Sequence, residues 1–448
     1  MSIEADSHQS TLQPLETSWF NHLGSEGEKD ERIFDMDIPL AERCLIHLST
    51  RMLFHEDFMP LAASVGGHLA DLQQAMPAED DEHGIPGGKG MPFYFKKRQP
   101  ASLVIPVCLV QPAGYGKSMS MKQWFGRYGI CPINYMTEGS LTEASFVAKQ
   151  DGKEVQWGTA WLVKDGFCIF NEISNVFIAS ATKHSGGLSN QVMEALSERH
   201  VCKSTVKVEY DTNITIWGGV QPGRFDFQAK AGAGRRFIYI AKRWTDEEIQ
   251  LLKQDELNEL LNPDEYPPIN TAEVMQLRKE MRGLLDNGCI EKKPKWDESL
   301  ARFIYSNNVT KTHLDADMLV RAMIGVAYLN HEPGDKQLKI ENTPFMRLML
   351  DKIIRSSRMV AEGGDVSLLM STIGEDTMTY SQIWTMFNRF QYQLEDFNSL
   401  LNKAHRNKII NKEFSKSRQQ YLYSVNPNVR GKMPMVDAKS VLGVRKVA

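Results

Sequence analysis

The stretch Leu103-Val-Ile-Pro-Val-Cys-Leu-Val110, followed at once by Gln111-Pro-Ala-Gly-Tyr-Gly-Lys-Ser118, decides how this chain folds. An unbroken apolar run of this length, closed by turn residues, is the pattern of a strand buried on both faces. The octapeptide after it fits the phosphate-loop pattern G-x-x-x-x-G-K-[ST] at every fixed position but the first, where Gln111 replaces glycine. Gly114 and Gly116 let backbone N–H groups turn inward around phosphates, where a larger side chain would obstruct them. Lys117 supplies charge for the β- and γ-phosphates, and Ser118 supplies a hydroxyl for Mg²⁺. A helix beginning here adds its N-terminal dipole. Gln111, Pro112, Ala113, Gly114, Tyr115, Gly116, Lys117 and Ser118 are therefore the candidate nucleotide site, with ATP and Mg²⁺ the expected ligands. A Gly-rich turn without a ligand is the plainer alternative.

Further along, Gly166–Phe170 (GFCIF), Asn213–Trp217 (NITIW) and Arg236–Ala241 (RFIYIA) repeat the buried-strand pattern, with helical stretches at 118–128 and 188–199 between them. Buried strands alternating with helices predict an α/β fold whose parallel sheet is covered on both faces. Phosphate-loop enzymes need an acidic strand end facing the loop, and Phe167-Cys-Ile-Phe-Asn171-Glu172 is the candidate. Glu172 is placed to polarise the attacking water. Asn171 stands where an Asp usually holds a Mg²⁺-bound water, and its amide offers an oxygen without a charge. A strand ending in a polar turn reads the same way.

Composition sets the boundaries. The 448 residues are 42% apolar and 24% charged, which excludes wholesale disorder and leaves room for two to four compact units. Lys and Arg number 52 against 56 acids. From Asn402 onward, however, eleven cations face two acids, so a tail of +9 sits on a body of −13. Any nucleic-acid contact is then expected to be local. The six cysteines are scattered without C-x-x-C pairs, favouring buried free thiols over a zinc site or disulfides. An acidic, polar N-terminus lacks the form of a signal peptide, and no apolar run reaches membrane-spanning length. A cytoplasmic or nucleoid-associated intracellular protein with no membrane partner is expected.

Residues 1–36 read as a polar arm, Leu40–Leu72 as one or two helices, and 77–90 as a loop. After Trp244 the pattern is helical, broken by prolines near 262–268 and 292–295, with helices at 314–330 and 343–361. A last unit runs helix (Tyr380–Arg389), helix (Leu394–His405), then a two-stranded wing (Lys408–Phe414, Gln420–Val425).

Read together, residues 137–241 resemble the minichromosome maintenance (MCM) branch of the AAA+ ATPases. Gly139–Ser145 and Trp157–Gly166 look like that family's helix-2 insert ahead of the acidic strand, and Gln191–Arg199 resembles its "L-x-E-A-M-E-Q-Q" helix. Val201–Lys207 falls where the pre-sensor-1 hairpin belongs, which implies DNA-backbone contacts by Lys203 and Lys207; ordinary solvated strand lysines are the alternative. Gln221-Pro-Gly-Arg-Phe-Asp226 resembles the sensor-1 segment, with Gln221 in the place of the sensor Asn. Gly234-Arg-Arg-Phe-Ile-Tyr-Ile240 looks like the segment that presents an arginine finger to a neighbour. The resemblance implies Arg236 as finger, then Arg235, then Arg224. Thr343–Arg355 resembles the lid helix, with Arg347 in the sensor-2 position; an exposed helix charge is the alternative.

The resemblance covers about residues 60–360 and implies an AAA+ P-loop core followed by a helical lid and a C-terminal winged helix. The expected division is 1–60 (arm and helix), 61–245 (ATPase core), 246–370 (helical insertion and lid), 371–426 (winged helix) and 427–448 (basic tail). The family's N-terminal OB and zinc module has no room here, and 246–310 matches nothing in the family. Lys403, Arg406, Lys408 and Lys412 cluster where a recognition helix passes into a wing, as a DNA contact or as the solvated face of a protein-docking unit.

The implied function is an ATP-hydrolysing DNA helicase or translocase. It would work as a homo-oligomeric ring, a hexamer, in replication of a small, mobile or viral genome, with a separate protein supplying the missing N-terminal module. Because Gln111, Asn171 and Gln221 soften catalytic positions, the competing expectation is a poorly hydrolysing nucleotide-binding protein that loads or assembles on DNA or a partner. A protein remodeller of the same hairpin-bearing group is the third.

Overall fold

The computed structural model describes residues 37–49, 59–75, 93–111, 114, 116–177, 185–221, 233–241, 246–265, 269–287, 290–306, 313–361, 369–370, 372–374, 376–388, 394–406 and 408–427. The arm over 1–36, the loop over 77–90 and the tail from 428 lie outside these residues.

Five strands make the central sheet: β1 (Val107–Val110), β2 (Tyr135–Ser140), β3 (Phe167–Glu172), β4 (Thr215–Val220) and β5 (Ile238–Ala241). Their spatial order is β5-β1-β4-β3-β2, and every neighbouring pair is parallel. The ladder fixes Trp217 opposite both Val107 and Ile169, and Ile238 opposite Val107. β1 starts at Val107 rather than Leu103, because Pro106 has no N–H to give the ladder, although its carbonyl accepts from Ile238 N–H at 2.9 Å.

Alternating strand residues feed two separate cores. Val107, Leu109, Phe167, Ile169, Trp217, Ile238 and Ile240 face one layer. Cys108, Val110, Cys168, Phe170, Ile216, Val220 and Tyr239 face the other. This is why the central strands read as unbroken apolar runs: both faces are covered.

The first face is covered by helices α1 (Leu40–Ser49), α2 (Met59–Ala75), α6 (Thr271–Asn287), α7 (His313–Leu329) and part of α8 (Pro344–Ala361). α2 and α7 meet at glycines. A Cβ on Gly66 would lie 1.9 Å from the carbonyl oxygen of Gly325, and one on Gly325 would lie 2.1 Å from that of Ala63. The backbones therefore touch where a side chain would separate them. α6 is tied down by a hydrogen bond between His47 Nδ1 and the Glu273 carboxylate at 2.8 Å and by Arg278, which donates to the carbonyls of Gly129 (2.6 Å) and Gly126. The second face carries α4 (Ser185–Ser197), an antiparallel ribbon (Ala148–Asp151 with Glu154–Trp157) and a hairpin (His200–Lys203 with Val208–Asp211).

α3 (Lys117–Lys122) is shorter than the 118–128 expected from sequence, and the exposed helix α5 (Asp246–Leu261) opens the segment that precedes α6. Residues 292–295 are not a mere break: β6 (Lys292–Trp296) pairs in parallel with β7 (Gln337–Ile340), with an irregularity at Pro294. The C-terminal unit has its own core of Leu369, Ile383, Phe387, Phe397, Leu401 and Ile410 among others. It comprises β8 (Met378–Thr379), α9 (Tyr380–Asn388), α10 (Leu394–Arg406), β9 (Ile410–Ser415) and β10 (Gln420–Val425), with sheet order β8-β10-β9.

Among the described residues, no helix is long and apolar enough to cross a membrane.

Candidate nucleotide site

Parallel strands bring all their carboxyl ends to one edge, and the loop after β1 opens there. Gly114 (φ 82°) and Gly116 (φ 75°) both hold left-handed backbone, which explains glycine at these positions. Lys117 Nζ donates to the main-chain carbonyl of Gln111 at 2.8 Å, so the lysine folds back across the loop mouth. Gln111 is fully buried, its N–H donates to Val220 O at 3.2 Å, and among the described residues neither side-chain polar atom has a partner. Pro112, Ala113 and Tyr115 lie outside the described residues.

β3 and β4 complete the edge. Asn171 and Glu172 end β3 as its half-buried residues after four buried ones. Glu172 Oε1 accepts from Ser174 N–H at 2.9 Å, which aims its carboxylate along the edge. Asn171 Oδ1 is buried with no partner among the described residues. Gly218 lies opposite Phe170, so Gly219 stands level with Asn171, and Gln221 follows Val220 beside Gln111. A Cβ on Gly219 would stand 2.8 Å from Asn171 O and 3.1 Å from Lys117 Cε. The bare backbone there is the floor over which Lys117 runs. Gly219 escaped the sequence reading, although a Gly-Gly pair inside an apolar strand signals a close approach.

Lys117, Ser118, Asn171, Glu172 and Gln221 thus come together at one edge. A lysine, a hydroxyl, an unpartnered amide oxygen and a carboxylate form a donor set that fits a nucleotide with Mg²⁺.

The arginines lie elsewhere. Arg236 precedes β5 at the amino edge of the sheet, separated from the phosphate loop by the length of β1, about 13 Å. Its Nε donates to Ser197 Oγ at 2.6 Å. Burial, and then the neighbouring Arg321, lower its pKa. Arg235, exposed, joins Arg236, Arg321 and Lys96 around a pocket of about 130 Å³. Asp317 is the acid in that lining; it pairs with Lys96 and Arg321, each at 3.0 Å. Lys96 and Arg321 are missing from the sequence reading because they come from segments more than 200 residues apart. Arg347 stands exposed on the first turn of α8, its Nε on Asn342 Oδ1 at 2.6 Å. The residue of α8 that meets the carboxyl end of β5 is Ser356, whose Oγ accepts from Ala241 N–H at 3.3 Å. Nine residues, about 13 Å of helix, separate the two. Arg224 lies outside the described residues.

The hairpin and ribbon on the second face are locked together. Lys203 Nζ donates to Ala148 O at 2.9 Å and pairs with Glu143 at 3.3 Å, leaving its side chain 13% exposed. Tyr210 Oη donates to Val147 O at 3.2 Å, and its ring meets the stacked pair Trp157–Trp161 edge-on. Lys207, in contrast, is exposed in the turn, at φ 55°. In the C-terminal unit Arg406 and Lys408 are exposed, while the side chain of Lys403 lies outside the described residues.

The fold and site define a P-loop-like α/β core with a five-stranded parallel sheet. No protein-family model matches this chain, and no curated protein matches it.

Proposed function

We propose that this chain is an MCM-like AAA+ ATPase that translocates on or unwinds DNA as a homo-oligomeric ring, a hexamer. The observation that carries the reading is the placement of Lys117 and Arg236 at opposite edges of one parallel sheet. A phosphate loop at one edge and a cationic pocket at the other make two half-sites, which a ring of identical subunits would join. The strand order β5-β1-β4-β3-β2, with the Asn171–Glu172 pair ending β3 and a hairpin entering β4, supports the same family.

In this reading Lys117 leaves the carbonyl of Gln111 and turns to the β- and γ-phosphates. Ser118 and Asn171 would hold Mg²⁺, which would supply positive charge against the phosphates. Glu172 takes the proton of the attacking water, and Gln221 hydrogen-bonds the γ-phosphate or that water. Arg236 of the next subunit stabilises the transition-state charge, an effect of about 10³–10⁵ in rate where such arginines act. Lys207 at the hairpin turn touches the DNA backbone, with Lys203 behind it fixing the hairpin. The C-terminal helices and wing add contacts through Lys403, Arg406 and Lys408.

Mixing two inactive variants tests the ring. Lys117→Ala subunits keep the finger and Arg236→Ala subunits keep the loop, so a mixture should regain part of the parent's ATP turnover. A mixture as inactive as either variant alone contradicts a shared site.

One observation favours a second reading. With Asn171 supplying an uncharged oxygen, and with the buried side chain of Gln111 unpartnered among the described residues, the chain would bind nucleotide, hydrolyse it poorly, and load or assemble on DNA or a partner.

A further inference from the structure

We infer that the distal end of the core-facing side of the β9–β10 hairpin, around Phe414 and Tyr421, is a stacking platform for the unpaired bases of single-stranded nucleic acid. The inference rests on the DNA-motor reading and adds where bases, as distinct from phosphates, are held.

Cross-strand partners of an antiparallel pair share a face. On this hairpin the shared face runs from Ile410 and Val425, through Lys412 and Tyr423, to Phe414 and Tyr421. Its base is part of the unit's core: Ile410 is 1% exposed, and Tyr423 and Val425 are each 5% exposed. The apolar stripe does not stop where the core stops. Phe414 is 51% exposed and Tyr421 50%, their rings edge-to-face at 5.3 Å. Lys412 Nζ lies 4.4 Å from the Tyr421 ring centroid and 5.8 Å from that of Tyr423, which fixes a cation beside both rings.

Charge identifies the occupant. Residues 408–425 carry four cations, Lys408, Lys412, Lys416 and Arg418, and one acid, Glu413. Glu413 alternates onto the opposite face, opposite Leu422. Lys416 and Arg418 are exposed in the turn that follows the aromatic pair. Exposed π-faces bordered by cations, with no acid among them, suit bases joined by phosphates. Stacking adds affinity at such a site whatever the sequence, since every base has a face to offer. Duplex DNA keeps those faces occupied by neighbouring bases. The platform therefore prefers single strands, whereas a protein partner would have to cover Lys412 along with the rings.

The test uses the full chain and fluorescence anisotropy with two labelled probes of equal length, oligothymidine and a fully abasic strand. Phe414→Ala/Tyr421→Ala should weaken oligothymidine binding about tenfold or more and leave the abasic strand unaffected. Its ATP turnover without DNA should match the parent's. Tyr421→Phe, which keeps the ring, should bind as the parent does. Lys416→Ala/Arg418→Ala should weaken both probes and flatten the salt dependence. Equal binding of oligothymidine by the parent and the double alanine variant overturns the inference, leaving the face to a protein partner and the DNA-motor reading intact. Equal losses on both probes overturn it too, since the rings would then act through the fold. A parent that binds neither probe contradicts the inference and the motor reading together.

Discussion

Lys117 crosses the bare backbone of Gly219, its Cε 3.1 Å from where a Cβ would stand. The same Cβ would lie 2.8 Å from the carbonyl oxygen of Asn171, so main chain as well as side chain would have to move. Gly219→Ala should therefore lower nucleotide affinity about tenfold or more, and overpacking should lower stability by about 1–3 kcal/mol. Titration with a fluorescent ATP analogue and thermal melting check the two effects separately. Unchanged affinity would show that Lys117 does not take this path.

The amide oxygen of Asn171 is buried at the end of β3, with no partner among the described residues. A carboxylate there would add a charge facing a metal ion. Asn171→Asp should lower the Mg²⁺ concentration needed for half-maximal ATP turnover by about tenfold, roughly the 1.4 kcal/mol expected of one charge-assisted contact. Turnover that is unchanged or lower over a Mg²⁺ titration would mean that asparagine is the working residue.

Hairpin lysines should separate by role. Lys203 is held by Ala148 O and Glu143, so Lys203→Ala should destabilise the fold by about 1–3 kcal/mol. Lys207, exposed at the turn, should instead govern contact with DNA. Lys207→Ala should weaken DNA binding more than Lys203→Ala does while leaving the melting temperature unchanged. Anisotropy and calorimetry on the same preparations decide it.

His68 supplies a pH signature. It sits on α2 against the Phe167 ring, with Nδ1 2.9 Å from Thr215 Oγ1, and burial lowers its pKa to about 4. The ordinary value is about 6.5, so between these pH values the unfolded chain binds a proton that the folded chain refuses. Its contribution is complete above the unfolded value and is lost as pH falls toward about 4, amounting to about 3 kcal/mol. Denaturant unfolding at pH 7 and pH 5 should show this slope in the parent, and His68→Gln should reduce it.

Much of this architecture could be read from the chain. β1, β3, β4 and β5 announce themselves because a strand covered on both faces must be apolar throughout. β2 (YMTEGS) does not, because four of its six residues are exposed. β6 contains Pro294 and reads as a break; its pairing with β7 is visible only once residues more than 40 apart meet. Lys117, Ser118 and the Asn171–Glu172 pair were legible because local chemistry and strand ends place them. The ties of Lys203 to Ala148 and Glu143, and of Lys96 to Asp317, were not, because they depend on which surfaces the fold brings together.

ATP turnover with and without single-stranded DNA, for the parent and for Lys117→Ala, tests the central claim most directly. The account predicts turnover that DNA stimulates in the parent and that the variant lacks under both conditions. Parent turnover that never rises above the variant's, with DNA present and nucleotide bound, would contradict a DNA-driven motor.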